Sequence, residues 1–296
     1  MDILNTFRAV PWFYIGTFFV FGLAVGSFLN VVIHRLPKML EARWKDDCME
    51  FLHPEEFAKS KETPRPKYNL MVPRSACPSC GHKITALENI PVVSYLALRG
   101  KCSGCKAPIS LRYPVIEAVT GILTALVAWH FGVSMAALFA AGFLWALIAL
   151  TMIDADHKYL PDDITLPLLW SGLLVNVVST YTDLTSAVIG AVVGYMLLWL
   201  VNGAFKLVRG QDGMGFGDFK LLAAMGAWLG WQMLPLIILL SAAVGTVVGL
   251  YGIFFKGRDS NYKLPFGPYI AAAGFIGMIW GTSIMVWYLQ TGRIPA

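Results

Sequence analysis

Long runs without charged residues alternate along the chain with shorter charged segments. At about 20 residues for each crossing, such runs predict transmembrane helices. The pattern predicts eight helices: one in Ala9–Ile33, two in Ala118–Ile153, one each in Ile164–Thr182 and Leu184–Phe205, two in Leu221–Phe255 and one in Leu264–Gly292. We expect the two double runs to turn near His130–Ser134 and near Gly230–Gln232. The predicted fold class is an all-α polytopic membrane protein.

Composition agrees with this prediction. The chain is 57% hydrophobic and 14% charged, whereas soluble domains carry about 25% charged residues. We interpret the amino-terminal segment as a membrane helix rather than a cleaved signal peptide, because its apolar run is too long and its flank lacks a basic cluster.

The distribution of Lys and Arg predicts the orientation in the inner membrane. If the amino terminus lies outside the cytoplasm, the inside segments are 34–113, 154–163, 206–220 and 256–263. They contain all Lys and Arg except Arg8 and Arg293, which is 21 of 23. By the positive-inside rule, both termini are then extracytoplasmic. The net charge of +5 reflects this bias, and we predict no nucleic-acid binding.

The chain divides into three predicted domains. We expect Pro37 to end the first helix, so residues 1–37 form a first transmembrane segment, 38–113 a cytoplasmic metal-binding domain and 114–296 a seven-helix core. Within the second domain, residues 39–69 are charged and predicted to be loosely structured, with a helical part around Pro54–Lys61.

Four cysteines predict a zinc site in the second domain. Cys77 and Cys80 lie in C-P-S-C-G-H, and Cys102 and Cys105 lie in C-S-G-C, with 21 residues between Cys80 and Cys102. Two CxxC pairs at this spacing are typical of a zinc ribbon, in which each pair supplies two thiolates. Two disulfides are the alternative, which the predicted cytosolic location disfavours. We expect Cys48 to be a free thiol and His82 to lie outside the metal shell.

Aspartates cluster where two apolar segments meet. Asp154, Asp156, Asp162 and Asp163 lie between Thr151 and Pro167, and Asp218 follows in G-M-G-F-G-D. Carboxylates at the mouth of an apolar helix are costly and are therefore candidates for function. We expect Asp154 and Asp218 to meet at the cytoplasmic face, Asp162 or Asp163 to cap the next helix, and Asp156 to be a solvated loop residue.

The glycines before Asp218 favour a close backbone approach rather than a phosphate-binding loop, because the segment follows a membrane helix and lacks the Lys-Ser/Thr of such loops.

Three other polar residues each leave two interpretations open. Asn30 forms a hydrogen bond between helices or has a functional role. Glu88 lies on the surface or lines a pocket. Glu117 interacts with the dipole of a helix opened by Pro114 or has a functional role.

Two neighbouring aspartates can act as an acid and a base. In an aspartyl hydrolase the two carboxyl groups share a proton: one takes a proton from water, and the other polarises the scissile carbonyl and protonates the leaving amine. No Ser-His or Cys-His combination in the sequence competes convincingly with this pair.

Several motifs together resemble the bacterial type IV prepilin peptidases, which are leader peptidases and N-methyltransferases. They are G-S-F-L-N-V-V-I-H-R-L-P from Gly26, the two CxxC pairs, E-N-I-P, I-S-L-R-Y-P-V-I-E, I-D-A-D-H-K-Y-L-P-D-D-I-T-L-P and G-F-G-D ending at Asp218. By position, Asp154 and Asp218 match the catalytic pair of that family, and Cys77, Cys80, Cys102 and Cys105 match cysteines found in many members.

The resemblance implies cleavage of a basic leader after Gly in prepilins and pseudopilins of type IV pili and type II secretion. It also implies methylation of the new amino terminus with S-adenosylmethionine, for which no residues are assigned. A proton- or ion-coupled transporter is one alternative, but it predicts midplane carboxylates and inverted repeats. A zinc-ribbon scaffold is another, and it leaves the Asp154–Asp218 pairing unexplained.

Overall fold

The structural elements of the protein are helices in the part that the computed structural model describes, residues 3–61, 67–257 and 264–291, and residues 67–86 and 98–111 lie outside them. The α-helices in chain order are α1 Ile3–Ala9, α2 Pro11–Leu52, α3 Pro54–Lys61, α4 Val93–Ala97, α5 Arg112–Phe131, α6 Met135–His157, α7 Asp162–Asn176, α8 Leu184–Arg209, α9 Phe216–Leu229, α10 Leu234–Lys256 and α11 Gly267–Thr291. Short 3-10 turns cover Leu87–Asn89 and Trp231–Met233. The predicted inside segment 256–263 lies largely outside the described residues.

Six helices in these ranges are long and apolar enough to cross a membrane: α2, α5, α6, α8, α10 with the turn before it, and α11. Each coincides with a predicted span, and the turns near His130–Ser134 and Gly230–Gln232 are confirmed. The other two predicted spans correspond to α7 and α9, with 15 and 14 residues. At about 1.5 Å per residue these are near 22 Å long, shorter than the ~30 Å apolar layer of a bilayer.

The prediction that Pro37 ends the first helix is wrong. Pro37 lies buried inside α2, which continues for 15 more residues to Leu52. Proline removes one backbone hydrogen bond and usually kinks a helix, but in α2 the remaining bonds on both sides maintain it. The helical prediction around Pro54–Lys61 is confirmed by α3.

The chain forms two compact units, residues 1–128 and 129–296. In the first unit, α2 packs closely on α5 through glycines. A Cβ atom at Gly26 would lie 2.8 Å from the Cα of Glu117, and one at Gly22 would lie 2.7 Å from Thr124. The Asn30 amide donates to the carbonyl of Tyr113 at 3.2 Å. The interhelical interpretation of Asn30 is therefore confirmed.

The second unit is built around α9. Eleven of its fourteen residues are buried, against α7, α8 and α11. Small residues permit this packing: a Cβ at Gly226 would lie 2.1 Å from the carbonyl oxygen of Gly190. At the end of α9, Asn176 donates to the carbonyls of Ala227 and Trp228. This helix carries Asp218 in its first turn, so its packing fixes a candidate catalytic group.

Candidate active site and metal cluster

Asp154 lies in the last turn of α6 and is only 4% exposed. Its Oδ2 accepts a hydrogen bond of 2.9 Å from the backbone N–H of Gly267, the first residue of α11. The helix ends just beyond Asp154, where Lys158 adopts a left-handed conformation and its N–H binds the Asp154 carbonyl. A carboxylate in an apolar helix is thus held by a helix that begins more than 100 residues later.

Asp218 is the third residue of α9, with Gly215 as the N-cap, and is 9% exposed. Its backbone N–H donates to the carbonyl of Gly215 at 3.2 Å. The preceding loop is fastened by Asn202 of α8, whose Oδ1 accepts from Gly213 at 2.8 Å and from Met214 at 3.2 Å. The Asn202 amide donates to Asp212 at 3.1 Å. The loop therefore has a fixed path into α9.

Asp154 and Asp218 both belong to the second unit and interact electrostatically. The charge of Asp154 acts directly on the Asp218 carboxyl group. Leu160 links their surroundings: a Cβ at Gly217 would lie 2.8 Å from the Cβ of Leu160, and one at Gly267 would lie 3.1 Å from its Cδ2. Glycine at position 217 therefore permits the close backbone approach expected from the sequence. Two buried carboxyl groups arranged in this way can share one proton.

The other aspartates of the cluster have different positions. Asp162 and Asp163 do not cap α7, because the N-cap is Pro161 and no side chain caps it. Asp162 instead accepts from Lys220 through both carboxylate oxygens at 2.7 Å, which ties the first residue of α7 to the fifth residue of α9. Asp156 is exposed, as expected, but lies in the last turn of α6 rather than in a loop.

The four predicted cysteines form one cluster. Their sulfur atoms all lie within 4.8 Å of one another, and the Cys77–Cys105 and Cys80–Cys102 pairs are 3.8 and 4.0 Å apart. A tetrahedral zinc with Zn–S bonds of ~2.3 Å requires sulfurs about 3.8 Å apart. These distances fit a four-thiolate metal site, and all four cysteines are free thiols rather than disulfides. Cys48 is exposed and separate from the cluster.

Each CxxC pair lies in a matching knuckle. Cys77 N–H binds the carbonyl of His82 at 2.9 Å, and Cys102 N–H binds that of Ala107 at 2.9 Å. Each knuckle is closed by an isolated β-bridge, so no ribbon strands are present in the described residues. Backbone N–H groups of Ser79 and Cys80 lower the pKa of the Cys77 thiol to about 6. A thiolate is therefore favoured there, as metal binding requires.

A hydrogen-bonded group joins the two knuckles. His82 Nε2 lies 3.2 Å from the Glu88 carboxylate and 3.1 Å from Ser103 Oγ in the second knuckle. Interactions with Ser103 and Thr85 lower the pKa of Glu88 to about 2. Glu88 thus belongs to the group that links the two knuckles, and His82 lies outside the metal-capable cluster.

Glu117 is not in the first turn of its helix, because α5 begins at Arg112. The helix-dipole interpretation is therefore wrong. Its side chain is 9% exposed and accepts from the backbone N–H of Val92 at 2.8 Å. Val92 has a φ of 60°, which is unfavourable for a β-branched residue. Glu117 therefore fastens the segment after the 3-10 turn to α5.

Sequence reasoning missed three positioning residues. Arg35 is buried and donates to the carbonyls of Asn69 and Pro73 at 2.9 and 2.6 Å, and it thereby organises residues 69–73. Asn202 and Gly267 hold the surroundings of the two aspartates. A polar Asn within the apolar run of α8 was the one available signal, since such residues in membrane helices usually have a partner.

Comparison with known proteins identifies the family to which the chain is similar. Residues 20–131 match the bacterial peptidase A24 N-terminal domain, and residues 141–250 match the type IV leader peptidase family. The chain is 51% identical to the prepilin leader peptidase/N-methyltransferase of Aeromonas hydrophila over 97% of its own length and 98% of the relative's. It is 50% identical to that of Pseudomonas aeruginosa over 98% of both chains, and 44% identical to that of Legionella pneumophila over 94% of this chain and 96% of the relative.

No solved structure matches the chain. The matches to relatives nevertheless extend over nearly the full length of both chains, and they cover the aspartates as well as the cysteine knuckles. The chain is therefore a multi-pass membrane protein that belongs to the type IV leader peptidase family.

Proposed function

We propose that this protein is a membrane aspartyl endopeptidase that cleaves the basic leader of type IV prepilins and pseudopilins after a glycine. It then methylates the new amino terminus. The relatives' shared name supports both activities. The observation that supports the peptidase assignment is the electrostatic interaction of Asp154 with Asp218, two buried carboxylates from helices far apart in the sequence.

In the proposed mechanism the two aspartates hold a water molecule and share one proton. The ionised carboxylate takes a proton from the water as its oxygen attacks the scissile carbonyl carbon, while the protonated carboxyl donates a hydrogen bond to the carbonyl oxygen. When the C–N bond breaks, a carboxyl group protonates the leaving amine. One water is thus divided between the new carboxyl and amino termini. The backbone N–H of Gly267 maintains the position of the Asp154 side chain.

Cys77, Cys80, Cys102 and Cys105 are proposed to hold a structural zinc ion within the domain predicted at 38–113. Bound zinc supplies cross-links and no reaction step, since four thiolates leave no open coordination position. The methyl donor that the family resemblance implies is S-adenosylmethionine. No residue of the chain is assigned to this donor.

The charge distribution supports an orientation with both termini extracytoplasmic and the aspartates at the cytoplasmic face. Eight crossings follow if the short helices α7 and α9 also enter the membrane. The length of α9 is compatible with this, because its buried surface meets other helices rather than lipid, and backbone surrounded by protein is tolerated at membrane depth. This topology would place the carboxylates where a cytosolic leader can reach them.

Mass spectrometry of a prepilin tests the function directly. Purified full-length protein in lipid vesicles is incubated with a prepilin, with and without S-adenosylmethionine. We expect the leader to be removed after a glycine in both cases, and one methyl group to be added to the new amino terminus only with the donor. An intact prepilin after prolonged incubation with folded protein would contradict the assignment.

A further inference from the structure

The hydrogen bond to Asp154 is donated by Gly267, the first residue of the long helix α11. First-turn N–H groups have no partner within their own helix. Gly267 is the first residue of α11 and supplies its first N–H donor, and the next residue, Pro268, has no N–H. The Gly267 N–H donates to Asp154 Oδ2 at 2.9 Å in a buried environment.

Position 267 also has no room for a side chain. A Cβ atom there would lie 2.6 Å from Asp154 Oδ2, closer than two such atoms normally approach. It would lie 3.1 Å from Leu160 Cδ2, which can move more easily. Gly277, in the same helix, differs: its Cβ would meet neighbours only at 3.5 Å or more, an ordinary contact.

Both features act on the same oxygen of the Asp154 carboxyl group, Oδ2. The N–H of Gly267 binds this oxygen, and the absence of a side chain at position 267 leaves space for it. Because Oδ2 is fixed, the carboxyl group cannot rotate freely, and its other oxygen keeps a defined direction. A shift of about 1 Å in a catalytic group can reduce a rate on the order of 100-fold.

We propose that Gly267 is a positioning residue for peptide cleavage. Its backbone N–H and its lack of a side chain orient the Asp154 carboxyl group for proton exchange with water. The N-terminus of α11 thereby becomes part of the active-site framework, together with the turn that carries Leu160. This inference rests on the proposed role of Asp154 as a catalytic carboxylate.

The test compares Gly267→Ala with Gly277→Ala in full-length protein reconstituted in lipid vesicles. We expect Gly267→Ala to lower kcat for leader cleavage on the order of 100-fold, with KM for the prepilin within about twofold, because the change acts on the carboxyl group rather than on substrate binding. Thermal unfolding and methylation of an already cleaved pilin should stay close to wild type. Gly277→Ala should retain cleavage.

Three results would overturn the positioning role. They are an unchanged kcat, a raised KM with kcat preserved, or a loss of both activities together with a lowered unfolding temperature. Leu160→Ala provides a further control, because it removes the contact with Leu160 but leaves the one with Asp154. If Leu160→Ala restores cleavage to Gly267→Ala, the damage came from packing and the proposal is wrong. Full cleavage by Asp154→Asn would instead refute the proposed function itself.

Discussion

The cysteine knuckles and helix α9 represent two different ways of fixing structure within one chain. Between residues 67 and 113, only Gly100 and Cys102 are buried, whereas eleven of the fourteen residues of α9 are buried. A segment with so little apolar core cannot be stable by burial alone, so a cross-link must supply the missing free energy. The comparison teaches that metal removal and packing changes should damage different parts of the protein.

The largest expected effect is loss of the metal. Cys102→Ser removes one of four thiolates, and structural zinc contributes roughly 10 kcal/mol or more to such small sites. We expect zinc content to fall from about one ion per chain to much less, and residues 67–113 to become sensitive to proteolysis. Backbone hydrogen exchange in α9 should remain slow, because this helix is held by its packing on α7, α8 and α11.

Cys48→Ser is the matched control, since Cys48 is exposed and outside the cluster. It should keep full zinc and normal protease resistance. Retention of zinc by a variant that lacks both Cys77 and Cys80 would contradict the metal site.

A packing change in α9 should have the second-largest effect. In Gly226→Ala the added methyl would lie 2.1 Å from the carbonyl oxygen of Gly190, and two helix backbones would have to separate. Overpacking of this kind costs about 1–3 kcal/mol. We expect a lower unfolding temperature and less cleavage with unchanged zinc content.

The control for this change is Gly203→Ala in α8, where a Cβ would meet no atom within 4 Å. Its unfolding temperature should equal that of wild type or exceed it slightly. Equal stability of both alanine variants would contradict the close contact between α8 and α9 at Gly190 and Gly226.

The smallest expected effect is a gain in stability. Lys106 occupies the same knuckle position as Gly81, four residues after the first cysteine of its pair, and both have positive φ angles, 61° and 72°. A side chain in this conformation costs about 1–2 kcal/mol, and the greater backbone freedom of glycine offsets part of this. Lys106→Gly should therefore stabilise the zinc-bound knuckles by less than about 1 kcal/mol, measured as slower loss of zinc to a chelator. Faster loss would contradict the backbone argument.

The sequence predicted those features that depend on local patterns. Charge-free runs located the helices and their turns, and the spacing of Cys77 to Cys105 predicted the cluster. The pairing of Asp154 and Asp218 stays a prediction from the sequence, based on carboxylates in apolar segments, and the electrostatic effect of Asp154 on Asp218 supports it.

Features that depend on tertiary contacts were not predictable. The continuation of α2 through Pro37 contradicts the usual effect of proline, and nothing local indicated it. Asp162 was assigned a cap, but its partner is Lys220, 58 residues away. The role of Gly267 requires knowing that α11 begins beside Asp154. Each of these depends on which distant backbone lies opposite a residue.

The central claim is that Asp154 and Asp218 form one catalytic unit. The most direct measurement is the rate of leader cleavage by Asp154→Asn, Asp218→Asn and the double variant, with Asp156→Asn as a control from the same helical turn. Each single change should lower the rate by roughly 10⁴-fold, and the double variant should be no worse, because residues that act together lose their effect together. Asp156→Asn should cleave normally. Survival of cleavage in both single variants, or its loss only in Asp156→Asn, would contradict the account.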